Sequence, residues 1–155
     1  MENSIVSFRK VAVLFFLAAC SSGTRTASNS GDLTGAASPQ IAVQQFLRAV
    51  NAKDLQAMST VFGTNKGPAR ENMDRTELEK REIILACYFN SDSSRILSEA
   101  AGTQGHRDVR VELKKGNLTR QTTFYTIRGP GDRWYVDNMD IAAVRDFCGN
   151  SGTGR

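Results

Sequence analysis

Val109-Arg110-Val111-Glu112-Leu113-Lys114 alternates apolar and charged side chains, and Lys115-Gly116-Asn117 turns the chain at once into residues 119–127, rich in threonine and aromatics. A period of two is the signature of a strand with one face buried. Gly129-Pro130-Gly131-Asp132 turns the chain again into Trp134-Tyr135-Val136-Asp137. Consecutive strands joined by tight turns predict an antiparallel meander. Arg95-Ile96-Leu97 supplies a further short strand ahead of it.

Upstream the period is helical. Ser38-Pro39 offers a capping oxygen and a first-turn proline, and Val43, Phe46, Leu47 and Val50 follow at i, i+3, i+4, i+7. Asn51-Ala52-Lys53 breaks that helix, and Asp54 caps a second whose inward residues are Leu55, Met58 and Phe62. Gly63 stops it, and residues 63–72 read as a polar loop. A third helix is expected over about residues 74–88, with Leu78, Ile84, Leu85, Tyr88 and Phe89 inward. Its charged run, Asp74 to Glu82, reads as a solvated face. Helices first and strands afterwards define an α+β domain. A last amphipathic piece, residues 141–148, can fold back on the third helix.

The chain has 155 residues, 40% hydrophobic and 23% charged, which excludes a wholly disordered or multi-span membrane protein. Arg9-Lys10 precedes nine uncharged residues, Val11-Ala12-Val13-Leu14-Phe15-Phe16-Leu17-Ala18-Ala19, and then Cys20-Ser21-Ser22-Gly23. Nine apolar residues suit a signal-peptide core and are too few for a bilayer span. Leu17-Ala18-Ala19-Cys20 resembles the lipobox of bacterial lipoproteins. That resemblance implies lipid on Cys20, cleavage before it, and a protein held on the outer side of a bacterial membrane. Serine after Cys20 fits outer-membrane sorting. Residues 1–19 are thus expected to be the signal peptide. Residues 20–38 form the lipidated cysteine and a flexible tether, since fourteen of residues 21–38 are Ser, Gly, Thr or Ala. The domain follows over 39–149, with a tail at 150–155.

With Cys20 acylated, Cys87 and Cys148 remain as an even pair in an oxidising compartment, either bridged or as two separate buried thiols. Neither lies in a CxxC pattern, and no metal site or cofactor is expected. Twenty Lys and Arg against sixteen Asp and Glu give a net charge of +4, concentrated in the strand half. An exported address argues against nucleic acid as the partner. Arg110 and Lys114 share one sheet face, which suits solvent or an anionic envelope polymer.

The order of elements resembles the nuclear-transport-factor-2-like (NTF2-like) superfamily, carried by residues 39–50, Asn51-Ala52-Lys53-Asp54-Leu55 with Met58 and Phe62, and Gly131-Asp132-Arg133-Trp134-Tyr135-Val136-Asp137. It implies N-terminal helices packed on a curved antiparallel sheet, a cone, and a homodimer through the sheet. Enzymes of that superfamily move protons with an Asp or His inside the cone. No residue here aligns with such a group, and no catalytic residue is assigned. His106 stands alone without an evident partner, and Asp137 and Asp140 read most simply as strand-end caps. Phe46, Phe62, Tyr88, Tyr125 and Trp134, with Asp137 at the mouth, are the ligand-binding candidates; the same rings can simply fill a core. The reading is a lipid-anchored, non-enzymatic module that binds a small apolar ligand or another envelope protein. The alternatives are an isomerase or hydro-lyase using Asp137, Asp140 or His106, and a purely structural component.

Overall fold

Three side-chain caps set the helices of the computed structural model, which describes residues 33–149. Ser38 Oγ accepts from the Ile41 amide and opens α1 (Pro39–Ala52). Lys53 ends it in the left-handed region at φ 55°, returning its amide to the last turn. The next residue, Asp54, accepts from the Ala57 amide at 2.9 Å and starts α2 (Leu55–Val61). Asp74 does the same for Glu77 at the head of α4 (Arg75–Phe89). Each cap satisfies an amide that a helix N-terminus otherwise leaves without a partner.

The stretch 63–72, expected as a polar loop, is mostly exposed but holds a short hairpin and a helical turn whose small residues are buried. Gly63–Thr64 (β1) pairs with Gly67–Pro68 (β2), and a single turn, α3 (Ala69–Asn72), follows. Gly63, Gly67, Pro68 and Ala69 are buried. Glycine is required here because a Cβ on Gly63 would stand 2.3 Å from the Gly67 carbonyl oxygen, and Gly67 itself has φ +116°. Gly63→Ala is therefore expected to cost about 1–3 kcal/mol, an overpacking penalty, read from urea unfolding. A substitution without effect would show that the hairpin opens freely.

The meander is present as a four-stranded antiparallel sheet in the order β3-β4-β5-β6, with β3 Ser93–Ala101, β4 Arg107–Lys115, β5 Leu118–Arg128 and β6 Trp134–Met139. The first strand is far longer than Arg95-Ile96-Leu97. Its residues are mostly exposed, so pairing to β4 rather than burial defines it. Val109, Val111 and Leu113 are fully buried, as their alternation requires, and Arg110 and Lys114 are exposed. Helices on one face of an antiparallel sheet make this an α+β domain.

The core fills the space between the layers. Phe46 of α1 meets Phe62, Phe89 and Phe124 with ring centroids 6.4, 6.5 and 6.0 Å away, and Phe89 lies 5.1 Å from Phe124. Tilted and edge-on contacts of this kind add to the apolar burial. Two expectations for α4 fail. Ile84 is 53% exposed, and Glu82, expected on the solvated face, is 1% exposed. The inward stripe is Leu78, Glu82, Leu85 and Phe89, spaced i, i+4, i+7, i+11, so helical geometry brings Glu82 inside whatever its charge.

The packed chain begins before Pro39. Ala36 is fully buried and exchanges two 2.8 Å hydrogen bonds with Trp134, and Arg133 donates to the carbonyls of Thr34 and Gly35. Part of the stretch read as tether thus serves as an extra partner for β6. At the other end, Ala142–Val144 forms a 310 turn leading into α5 (Arg145–Gly149), which does fold back on α4. The Cys87 and Cys148 Cα atoms stand 5.0 Å apart, bridged by a disulfide. No described helix is long and apolar enough to cross a membrane.

Candidate functional site

A break in the β5–β6 register creates the site. Tyr125 pairs with Asn138 but Thr126 pairs with Val136, which leaves Asp137 without a partner on the neighbouring strand. An extra residue of this kind is a β-bulge; it bends the strand and re-aims its side chain. Val136 and Met139 both turn inward as a result, and Asp137 stands partly exposed between them.

Asp137 lies where three cavities meet. One, about 410 Å3, runs along the β1–β2 hairpin past Thr64, Asn65, Lys66, Asn72 and Arg81. A second, about 230 Å3, has Phe62, Ile84, Leu85, Met139 and Ile141 on its walls and is chiefly apolar. The third, about 680 Å3 and wide open, is polar, with His106, Asp108, Tyr125 and Asn138. Phe62 and Arg81 are shared by the first two lobes.

The histidine has a partner after all. His106 Nε2 is 2.7 Å from Asp137 Oδ2, and Nδ1 is 3.0 Å from the Thr103 carbonyl oxygen. The Asp137 hydrogen bond raises the His106 pKa above its ordinary 6.5; desolvation opposes the rise, while the Thr103 carbonyl and the Asp137 and Asp108 charges reinforce it. Two acceptors on one ring favour the imidazolium, in which both nitrogens donate. A ring held in that way has no lone pair to offer as a base. It works as a clasp between the β3–β4 turn and β6.

A histidine whose folded pKa is raised stabilises fully below its unfolded value, and that stabilisation fades as pH climbs through the folded value. His106→Ala is therefore expected to cost about 1–2 kcal/mol at pH 5.5 and much less at pH 9, followed by thermal unfolding at the two pH values. An equal cost at both would refute the charged clasp.

Of the sequence candidates, Phe62, Tyr125 and Asp137 line the cleft. Phe46 is fully buried within the phenylalanine cluster. Trp134 lies at the far end of β6 against Ala36, with the Arg128 guanidinium 4.9 Å from its ring centre. Tyr88 is half-buried on α4, away from all three lobes. Asp140 accepts from the Ala143 amide and caps the 310 turn. Cys20 lies outside the described residues.

Sequence reasoning missed Arg81, Met139, Ile141 and the buried Glu82. Burial pushes the Glu82 carboxyl up to about 7, with the Glu79 charge adding to the effect. Its Oε1 has no hydrogen-bond partner among the described residues. The signal was available: Glu82 sits four residues after Leu78 and three before Leu85. It is nevertheless absent from the walls of the three lobes. Among the described residues no group of three His, Cys, Asp or Glu side chains is placed to hold a metal ion.

No family model matches the chain, and no curated protein matches it in sequence. A solved structure similar to it is that of an NTF2-like protein of unknown function from Shewanella oneidensis, 16% identical, with a TM-score of 0.40, over 64% of this chain and 92% of that one.

Proposed function

We propose that this chain is a bacterial envelope lipoprotein, anchored by lipid on Cys20, whose NTF2-like domain binds a small, partly apolar ligand without transforming it. Phe46, Phe89 and Phe124 close the interior, so the ligand sits at the rim, in the cleft around Asp137. The observation that carries the reading is the bulge at Asp137, which aims a carboxylate to where an apolar and two polar lobes converge. Arg81 offers a guanidinium beside it, and Phe62, Leu85, Met139 and Ile141 give the apolar wall. Binding is favoured over catalysis because both His106 nitrogens are engaged and Glu82 lines none of the three lobes.

Two measurements test it. Mass spectrometry of the mature amino terminus is expected to show acylated Cys20; an unmodified residue would sink the anchor. Native mass spectrometry of protein released gently from membranes is expected to show a retained small molecule, lost in a Met139→Asp variant that still folds. An empty wild-type protein, or undiminished retention in the variant, would remove the cleft from the proposal.

A further inference from the structure

The α4 face opposite the core carries two largely exposed isoleucines, of which Ile84 also lines the apolar lobe beside Asp137. Ile83 is 59% exposed and Ile84 53% exposed, side by side on one helix. Ile83 also lines a shallow groove of about 420 Å3, with Leu55, Ala86, Cys87 and Asn90 as its other neutral walls and Lys53 and Lys115 as its charged ones. Among the described residues no carboxylate lines this groove.

The charge around the isoleucines is unbalanced in the same sense. On α4, Glu79 is paired with Arg75 and Glu77 with Arg81, both at 2.9 Å. Asp54, next to Lys53, is spent on the Ala57 amide. Lys53 and Lys80 make no ion pair among the described residues, and both are exposed. Lys115 donates to the Phe147 carbonyl and adds its charge to the groove rim. Cations beside protruding aliphatic side chains are the composition of a surface that lies on an anionic bilayer: the ammonium groups meet headgroup phosphates and the isoleucines enter the acyl boundary.

A second copy of the chain fits this face poorly. A two-fold contact would set the patch against a second copy of itself and so gather six lysines, two each of Lys53, Lys80 and Lys115, around one interface without added carboxylates to balance them. We therefore infer that the face formed by Lys53, Lys80, Ile83 and Ile84 docks on an anionic phospholipid surface and fixes the orientation of the domain there. The inference rests on the proposed anchor only for bringing the domain to a membrane; the face itself is independent of it.

The test has two arms. In the first, the full lipidated chain is reconstituted into vesicles of phosphatidylcholine or of an equimolar mixture with phosphatidylglycerol, and amide hydrogen exchange is followed over residues 53–55 and 75–90. Slower exchange of those segments only with phosphatidylglycerol, abolished by Ile83→Ser and Ile84→Ser, is expected. Equal exchange in both vesicles overturns the inference, as does protection that grows with protein concentration in the absence of vesicles. In the second, the full chain carrying Cys20→Ala is sedimented with the same vesicles. Lys53→Gln and Lys80→Gln are each expected to lower the phosphatidylglycerol-dependent partition about fivefold. Partition that neither lysine alters counts against the docking face. Selective sedimentation of an unacylated natural chain would leave the face standing and the anchor refuted, so the two failures are distinguishable.

Discussion

Reduction of the Cys87–Cys148 bridge is expected to lower the unfolding free energy by about 4 kcal/mol, because the bridge closes a loop spanning 61 residues of the unfolded chain. A loss of that size corresponds to a fall in Tm on the order of 15 °C for a domain of this length. The structure shows what depends on it. Helix α5 has five residues and cannot persist alone; it is held by the buried Val144 and Phe147, by Lys115 donating to the Phe147 carbonyl, and by the Arg120–Asp146 ion pair. Released from Cys87, this segment keeps those contacts but must order itself against α4 without covalent help. Differential scanning calorimetry with and without reductant, beside a Cys87→Ala/Cys148→Ala double variant, measures the effect. Coincident transitions under oxidising and reducing conditions would mean that the bridge adds nothing, and two titratable thiols in natively exported protein would mean that it does not form.

The second large effect concerns Glu82. Its folded pKa of about 7 exceeds the ordinary 4.5, so the folded state prefers the protonated acid. Below the unfolded value the group is neutral in both states and the fold is at its best. As pH rises towards 7 the unfolded chain gives up its proton first, and stability declines by about 2–3 kcal/mol through this one side chain. Glu82→Gln keeps the shape and removes the titration. Urea unfolding at pH 5 and pH 8 should show a difference in the parent that is smaller by that amount in the variant, with the variant the more stable of the two at pH 8. His106 contributes a pH dependence of the same sign, so the comparison has to be between parent and variant at both pH values. An unchanged pH difference in Glu82→Gln would place the carboxyl in water. Among the described residues its Oε1 is buried without a hydrogen-bond partner, and nothing in the cleft geometry accounts for its presence.

The parts of the fold that depend on local chemistry were readable. Val109, Val111 and Leu113 announced a strand because alternate side chains must face one way. Ser38 and Asp54 announced helix starts because their oxygens reach the third amide ahead; Asp74 does the same, although in sequence it reads only as part of a charged face. Counting cysteines left a bridge or two separate thiols, and the 5.0 Å Cα separation decides for the bridge. The site was less legible, since it is made by pairings distant in sequence. The Asp137 bulge depends on where β5 places Tyr125 and Thr126, and the His106 clasp joins residues 31 positions apart. Glu82 failed for the opposite reason: Glu79, Lys80 and Arg81 run directly into it, and that charged stretch outweighed a helical spacing that pointed inward. Ile84 was drawn inward by its hydrophobicity alone, although α4 turns it out beside Ile83.

The two margins of the sheet differ in a way that bears on solubility. Along β6, Ala36 and Phe62 occupy backbone groups of Trp134 and Val136, so a passing strand finds little there to join. Along β3 no described strand takes that place, and its charged side chains Arg95 and Glu99 are already committed to Glu112 and Arg107. What guards that margin is the irregularity at Leu97, which skips one residue in the ladder and throws the edge out of line. Among the described residues, a single misfit position thus makes this edge a poor template for strand-by-strand polymerisation.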